Sequence, residues 1–281
     1  MSGDGRLPIG VALGTVGSDP RWWLDSARRL EEAGYPAVWA WDHFVGQGDR
    51  RVPVIEQWTM LSAVAGSTST IRLGTFVTNV MNRHPAVLAR MASTLQLASG
   101  GRLTLGIGIG GGKAEHLAYG IDFPEPPDRA ARLEEAVAVI RALWSGGPVT
   151  RPSRFYPLDA AHAFPVPEPQ PRLLVGAGSR AGVRLAATIG DGWAAEIDRF
   201  EGLLPGYRDA LAAANRSFDD AWIALGFGGG RTGEDALGGS PWVESPRDEI
   251  ARWAELGVDE VVVTARTSND VDALVAAVDR W

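Results

Sequence analysis

Short apolar segments alternate with amphipathic segments along the whole chain. The apolar segments are rich in β-branched residues, which is typical of strands buried in a parallel sheet. The segments between them repeat apolar residues at helical spacing, and several begin at a proline or end at a glycine. The pattern predicts eight strands, at residues 7–13, 37–41, 71–77, 103–109, 173–175, 192–195, 222–227 and 258–264.

Helices are predicted between these strands, at residues 20–33, 54–65, 85–97, 128–144, 179–189, 203–214, 246–256 and 270–281. This alternation predicts an α/β fold, a (β/α)8 TIM barrel, with residues 1–281 forming a single domain. An open, doubly wound sheet is the alternative. Glycine-rich loops after several different strands favour the barrel, because all barrel strands end at one ligand-binding rim.

Two longer segments interrupt the alternation, one after strand four and one before strand five. Residues 110–127 contain prolines that predict irregular structure, and Asp128 is expected to cap the helix that follows. Residues 146–171 are also proline-rich and are expected to lie over the site as a lid.

The composition narrows the classes of function. The net charge is -7 and there is no basic run, which argues against a nucleic-acid partner. The absence of cysteine excludes disulfides, thiolate catalysis and zinc–thiolate sites. No apolar stretch reaches the ~18 residues of a membrane span, and the first residues lack the pattern of a signal peptide. We therefore expect a cytoplasmic protein that acts on a small molecule.

Three side chains at the predicted rim could carry acid–base chemistry. Asp42 and His43 end the second strand, and Glu115 follows the fourth. The alternatives are a structural hydrogen bond that ties down the loop at Asp42 and His43, and a solvated position for Glu115. With only 4 histidines, no cysteine and no clustered carboxylates, we predict no metal site.

Two glycine-rich turns could hold an organic cofactor. The turn at residues 176–179 precedes a helix, where exposed N–H groups favour an anion, although such a turn is often only a tight connection. The run GIGIGG at residues 106–111 lacks the GxGxxG spacing and falls at the fourth strand, so a Rossmann fingerprint is rejected. A glycine-lined rim without a nucleophile is typical of a protein whose cofactor brings the reactivity.

The order and spacing of several motifs resemble the luciferase-like monooxygenase superfamily, the flavin- or deazaflavin-dependent relatives of bacterial luciferase. The resemblance is good from about residue 9 to residue 193. It rests on Trp41-Asp42-His43-Phe44, Arg72-Leu73-Gly74-Thr75, Arg83-His84-Pro85, Ser99-Gly100-Gly101-Arg102-Leu103, Arg132-Leu133-Glu134-Glu135, Leu143-Trp144-Ser145-Gly146 and Asp191-Gly192-Trp193.

The resemblance implies a barrel that binds coenzyme F420, or alternatively FMN, at its rim. It places the ring against a non-proline cis peptide at Thr75-Phe76, and it gives His43 a role in hydride transfer with Glu115 in support. The positions that match cofactor contacts are Asp42, Thr75, Phe76, Thr78, Gly108, Ile109 and Gly110 around the ring, and Gly176, Ala177, Gly178 and Ser179 at the phosphate.

The function that the resemblance implies is hydride transfer between a deazaflavin and a small organic substrate. F420 is favoured by the Asp-His-Phe sequence after the second strand and by the arginine-rich composition. The alternatives are an FMN-dependent monooxygenase served by a flavin or F420 reductase, and a non-catalytic flavin-binding homologue. A homodimer is expected. Gly111 stands where F420-dependent sugar-phosphate dehydrogenases carry a glutamate, so a larger pocket is expected and a glucose-6-phosphate-type reaction is not.

Overall fold

The computed structural model of the chain describes residues 8–46, 49–228 and 237–280. The strands within them are β1 (Ile9–Leu13), β2 (Ala37–Ala40), β3 (Arg72–Thr75), β4 (Thr78–Asn79), β5 (Leu103–Gly108), β6 (Val149–Arg151), β7 (Leu158–Ala161), β8 (Arg172–Ala177), β9 (Gly192–Glu196), β10 (Trp222–Gly228) and β11 (Glu260–Ala265). The helices are α1 (Pro20–Glu32), α2 (Gln57–Ser67), α3 (Pro85–Ala98), α4 (Lys113–Ala118), α5 (Pro126–Trp144), α6 (Arg180–Ile189), α7 (Ile197–Ala213), α8 (Pro241–Glu244), α9 (Pro246–Glu255) and α10 (Ser268–Ala277), followed by a 3-10 turn at Val278–Arg280.

Local capping explains where several helices begin. Asp19 accepts hydrogen bonds from the backbone N–H groups of Arg21 and Trp22, and Pro20 occupies the first turn of α1. At α10, Thr267 and Asp270 form a reciprocal capping box. These caps satisfy N–H groups that have no partner inside a helix, so the sequence fixes the helix starts locally.

Eight parallel strands close into a barrel, which confirms the predicted fold. Each strand pairs with the next in the order β1, β2, β3, β5, β8, β9, β10, β11, and β11 pairs back with β1. The pairings are parallel throughout, and helices cover the outside. All carboxyl ends of the barrel strands therefore meet at one rim.

The barrel interior is closed beneath this rim by large aromatic side chains. Trp39 is fully buried, and its indole N–H donates to Glu260 Oε1 at 2.9 Å. Phe76 packs edge-on against it, with ring centres 5.7 Å apart. A Cβ at Gly74 would lie 2.1 Å from the Trp39 ring, so glycine is required there. These contacts fill the barrel interior with packed side chains, so a ligand inside the barrel can lie only above them.

The predicted third strand is interrupted instead of continuous. β3 ends at Thr75, and β4 resumes at Thr78. The non-proline cis peptide joins Phe76 to Val77, one bond later than the resemblance implied. Phe76 belongs to the cluster of apolar side chains inside the barrel, and Val77, which is partly buried, packs against that cluster. Regular alternation would send these neighbours to opposite faces, so the break brings both to the inner side.

Both insertions differ from their predicted structure. Residues 110–127 contain the short helix α4, and Glu125, not Asp128, precedes the first turn of α5. Residues 146–171 contain the β6–β7 hairpin, which is tied to α5 by hydrogen bonds from Ser153 and from the Phe155 N–H to Glu135. The predicted glycine-rich loop after the seventh barrel strand lies largely at residues 229–236, outside the described residues.

Candidate active site

A cleft of about 850 Å³ opens at the carboxyl-terminal rim of the barrel. Residues at or after the ends of β1, β2, β3, β5, β8, β9 and β11 contribute to it. Its described lining consists of Val16, Trp41, Asp42, His43, Val45, Phe76, Val77, Asn79, Gly108, Ile109, Gly110, Gly111, Glu115, Gly176, Ala177, Gly178, Ala194, Glu196, Thr264 and Arg266. No residue of 146–171 is among them, so the expected lid over the site is not formed by that segment.

His43 and Glu115 form a hydrogen-bonded pair in this cleft. The Nδ1 atom of His43 lies 3.1 Å from Oε1 of Glu115, and Glu115 Oε2 accepts the Phe44 N–H at 3.2 Å. Glu115 is buried, whereas His43 is partly exposed. An ionised carboxylate can only accept, so Nδ1 carries the proton and Nε2 is the basic nitrogen.

The turn before α4 places Glu115 for this contact. Gly112 caps α4 in the left-handed conformation, with φ 74°. A Cβ at Gly112 would lie 2.4 Å from Glu115 Oε1, so a side chain would collide with the carboxylate. Glycine is therefore needed both for the backbone turn and for the position of the carboxylate.

Asp42 reaches the cleft, but its carboxylate is engaged elsewhere. Arg83 donates to both oxygens, at 2.7 Å and 3.0 Å, and the Asn79 N–H donates at 2.8 Å. This bidentate ion pair joins the end of β2 to the loop after β4. The structure thus brings His43 and Glu115 together, and it gives Asp42 the contacts of a positioning group.

The Val77 side chain forms one wall of the cleft. It packs where two of the predicted cofactor-binding glycines, Gly108 and Gly176, have no Cβ. A Cβ at Gly108 would lie 2.8 Å from Val77 Cγ2, and a Cβ at Gly176 would lie 3.0 Å from the same atom. The glycines at the ends of β5 and β8 therefore let the Val77 side chain nest between two strands. The predicted residues Phe76, Ile109, Gly110, Ala177 and Gly178 also line the cleft.

Three predicted cofactor residues do not line the cleft. The Thr75 hydroxyl donates to the Gly106 carbonyl, and the Thr78 hydroxyl donates to Gln57 Oε1; both side chains are fully buried. Ser179 caps α6 by accepting the Gly182 N–H. Their hydroxyl groups thus support the wall and the helix start, and a direct contact to a cofactor stays a prediction without geometric support.

Arg129 is a supporting residue that the sequence reasoning missed. Its guanidinium donates to the carbonyls of Ile109 and Gly110, at 3.0 Å and 2.6 Å, and lies 4.1 Å from the Phe123 ring centre. Burial lowers the pKa of Arg129 below its ordinary value. Its position four residues before Leu133, on the apolar face of α5, was the available signal.

His116 ties α4 to the loop that follows β4. It is fully buried, and its Nδ1 donates to the Gly112 carbonyl at 2.9 Å. Its Nε2 lies 2.6 Å from Asn79 Nδ2 and 2.9 Å from Asn82 Oδ1. Because Asn82 also donates to the Asp42 carbonyl, these contacts link the segments that carry His43 and Glu115.

The sequence profile of the luciferase-like monooxygenases matches residues 7–228, most of the barrel. The chain belongs to the luciferase-like monooxygenase family. This luciferase-like protein is 38% identical over 201 residues to an F420-dependent glucose-6-phosphate dehydrogenase of Kineococcus radiotolerans, covering 69% of this chain and 59% of that relative. It is 29% identical over 295 residues to the protein of that name from Amycolatopsis mediterranei, covering 97% and 88% of the two chains.

A solved structure of the family confirms the fold of this luciferase-like protein. An F420-dependent secondary alcohol dehydrogenase, in complex with an F420-acetone adduct, superposes with a TM-score of 0.83 and covers 98% of this chain and 99% of its own. The sequence identity is 19%, so this likeness concerns the fold alone. Among the described residues, no helix is long and apolar enough to cross a membrane. Nor do they contain a group of three or more potential metal ligands from His, Cys, Asp and Glu.

Proposed function

We propose that this protein is an F420-dependent oxidoreductase that transfers hydride between the deazaflavin and a small organic substrate. Two curated relatives, at 38% and 29% identity, are named F420-dependent enzymes. The observation that carries the chemistry is the His43–Glu115 pair in a cleft that Val77, Gly108 and Gly176 also line. A proton-transfer group thus shares a cleft with a wall that a planar ring can approach closely.

The residues of the cleft fit the cofactor. A volume of about 850 Å³ lies within the range of ~300–1,000 Å³ usual for small-molecule sites. The ring would be held against Val77 and Ile109, and the lack of a Cβ at Gly108 and at Gly176 lets the Val77 side chain pack into this wall. The phosphate would be held at Gly176–Gly178, directly before the N-terminus of α6, where unpaired N–H groups favour an anion.

The protein's own groups manage the proton and the orientation of the substrate. When bound, F420 supplies the two-electron hydride acceptor or donor. The Nε2 atom of His43 accepts the hydroxyl proton of an alcohol, and in the reverse direction returns a proton to the carbonyl oxygen. Glu115 holds the Nδ1–H and stabilises the charge that the imidazole gains. Arg129 and Arg83 hold the backbone around them in place.

Fluorescence titration of the purified protein with F420 and with FMN tests the cofactor. We expect saturable F420 binding, and we expect Gly178→Leu to weaken it at least about tenfold, or 1.4 kcal/mol. A Cβ at Gly178 contacts only side chains, Arg199 at 3.2 Å and Glu196 at 3.8 Å, so this variant should fold. Gly202→Leu, at an open position on α7, is the matched control.

Two results of this titration would overturn the proposal. Tight FMN binding without a response to F420 would favour the oxygen-using monooxygenase. Binding of neither cofactor would favour a non-catalytic homologue. Unchanged F420 affinity in Gly178→Leu would refute only the assignment of the phosphate to residues 176–178.

The single domain, the homodimer, the cytoplasmic location and a partner reductase belong to the same proposal. The family resemblance supports the dimer and the reductase, and the acidic sequence without cysteine supports the compartment. A single cooperative transition in thermal unfolding would support the single domain, and two separate transitions would refute it. Light scattering on the purified protein tests the dimer, and a monomeric mass at working concentration would refute it.

A further inference from the structure

The part of the cleft at the ends of β2, β1 and β11, here called the arc, carries three apolar side chains. These strands are neighbours in the barrel, on the side away from the glycine wall of β5 and β8. Apolar side chains dominate the arc: Val16 after β1, and Trp41 and Val45 after β2. Thr264, near the end of β11, and Arg266, just after it, complete the arc. A ligand beside His43 therefore meets apolar surface and few polar groups.

Thr264 carries a buried hydroxyl that is unpaired among the described residues. The residue is 2% exposed, and its Oγ1 has no hydrogen-bond partner there. It faces the barrel axis, since Val262, two residues earlier on β11, belongs to the interior cluster. A buried hydroxyl without a partner destabilises the folded protein, because it has lost its hydrogen bond to water. A ligand in the cleft that offers a hydrogen bond would remove this destabilisation.

The charges beside His43 do not suit a phosphorylated substrate. Of the carboxylates that line the cleft, Asp42 is paired with Arg83 and Glu196 with Arg199, which leaves Glu115 beside His43. Arg266 is the sole arginine or lysine in the described lining. The Arg266 guanidinium lies 5.8 Å from the Trp41 ring centre. A phosphate monoester beside His43 would lie close to the Glu115 carboxylate, and Coulomb repulsion would oppose its binding there. An uncharged ligand meets no such penalty.

We propose that Thr264 is a substrate-binding residue, and that the substrate is an uncharged alcohol or ketone whose apolar body packs on Val16, Trp41 and Val45. This inference rests on the proposed function and adds a substrate class to it. The Thr264 hydroxyl donates to a ketone oxygen or accepts from an alcohol, because a hydroxyl can do both. His43 in the same cleft exchanges the proton. An opening at Gly111, where an added Cβ would meet nothing within 4 Å, leaves room for the substrate.

The test compares Thr264→Val with Thr264→Ser and with Thr15→Val. Val keeps the shape of Thr and removes the hydroxyl, and Ser keeps the hydroxyl. Thr15 also has a buried hydroxyl without a partner, but it does not line the cleft, so Thr15→Val is the matched control. The measurements are F420 affinity, kcat/KM with cyclohexanol and with glucose 6-phosphate, and the Tm shift that cyclohexanone causes.

We expect Thr264→Val to lower kcat/KM for cyclohexanol by about 5- to 30-fold, the loss of one hydrogen bond. For Thr264→Ser and Thr15→Val, kcat/KM for cyclohexanol should stay within about threefold of the parent value. All three variants should bind F420 with the affinity of the parent. Thr264→Val should not lower the Tm of the ligand-free protein, because an unpaired hydroxyl is removed. A purely structural threonine would show the opposite, a lower Tm.

The failures of this inference and of the proposed function are distinguishable. Normal F420 binding with unchanged kcat/KM in Thr264→Val would refute the role of Thr264 alone. A preference for glucose 6-phosphate over cyclohexanol would refute the substrate class. If F420 does not bind, the Tm shift that cyclohexanone causes in the cofactor-free protein still tests whether Thr264 binds a ketone. A shift that Thr264→Val abolishes supports it, and an absent or unaltered shift refutes it.

Discussion

At the scale of single residues, a carboxylate from α4 meets a histidine from the end of β2. Glu115 and His43 are 72 positions apart in the chain, and their side chains are 3.1 Å apart in the fold. F420-dependent sugar-phosphate dehydrogenases are expected to carry their acid at the place of Gly111. Here the acid that reaches the histidine lies four residues later, so the change at Gly111 leaves the histidine with a partner.

We predict that His43→Gln lowers kcat by about 10²- to 10⁴-fold, the usual contribution of a general acid or base. Glu115→Gln should cost less than His43→Gln, because its amide oxygen still accepts the Nδ1–H while the negative charge is lost. Steady-state kinetics over a range of pH, with F420 affinity measured in parallel, checks both. Glu125→Gln, at an exposed position after α4, is the control and should behave as the parent. Full activity of His43→Gln would remove the histidine from the mechanism.

At the scale of elements, single charged side chains join helices to loops. Arg129 on α5 holds the carbonyls after β5, and Glu31 on α1 holds the turn between α2 and β3. Glu31 Oε1 accepts the N–H groups of Ser69, Thr70 and Ile71, at 2.6 to 2.9 Å. Burial alone would raise the pKa of Glu31, but these hydrogen bonds outweigh it and the pKa is lowered.

We predict that Glu31 contributes to a loss of stability in acid. Its pKa is lower in the folded chain than in the unfolded chain, so its contribution is full above the unfolded value, near 4.5, and is lost as the pH falls through the folded value. Glu31→Gln should lower the free energy of unfolding by about 1 kcal/mol at pH 7, given a partly exposed carboxylate. Urea unfolding at pH 7 and near pH 3 measures this. A gap between parent and variant that does not shrink in acid would contradict it.

At the scale of the whole molecule, the closed barrel determines where a ligand can bind. Trp39, Phe76 and the ion pair between Arg72 and Glu260 fill its lower and middle layers. The cleft therefore lies only at the upper rim, where the strand ends supply backbone from one side and His43 from the other. Phe76 belongs to the packed interior and also lines the cleft, so the packing of the interior helps to set the position of the site.

We predict that Gly74→Ala destabilises the whole barrel. The added methyl group would lie 2.1 Å from the Trp39 ring, and the buried ring has no free space. Overpacking of this kind costs about 1–3 kcal/mol or more. Gly66→Ala, in α2 with nothing within 4 Å, should instead stabilise by about 0.5–1 kcal/mol. Thermal unfolding measures the Tm of both variants. Equal Tm values for Gly74→Ala and Gly66→Ala would refute the tight packing of Trp39 against Gly74.

The sequence by itself determined the barrel, the family and much of the rim. Alternating apolar and amphipathic segments and glycine turns are local signals, and they survive in the structure as strands, helices and loops. His43, Gly108 and Gly176 were identifiable because each lies at the carboxyl end of a strand or shortly after it. The single-domain organisation and the contacts to a cofactor stay predictions.

Only the tertiary structure decided which side chains meet. The pairing of Glu115 with His43, the nesting of Val77 between Gly108 and Gly176, and the unpaired Thr264 all join separate strands. Such contacts depend on strand register and on barrel closure, which no local pattern encodes. The break at Phe76–Val77 also changes which residues face inward. The hydroxyl groups of Thr75 and Thr78, which the family resemblance matched to the cofactor, donate to Gly106 and Gln57 in this fold.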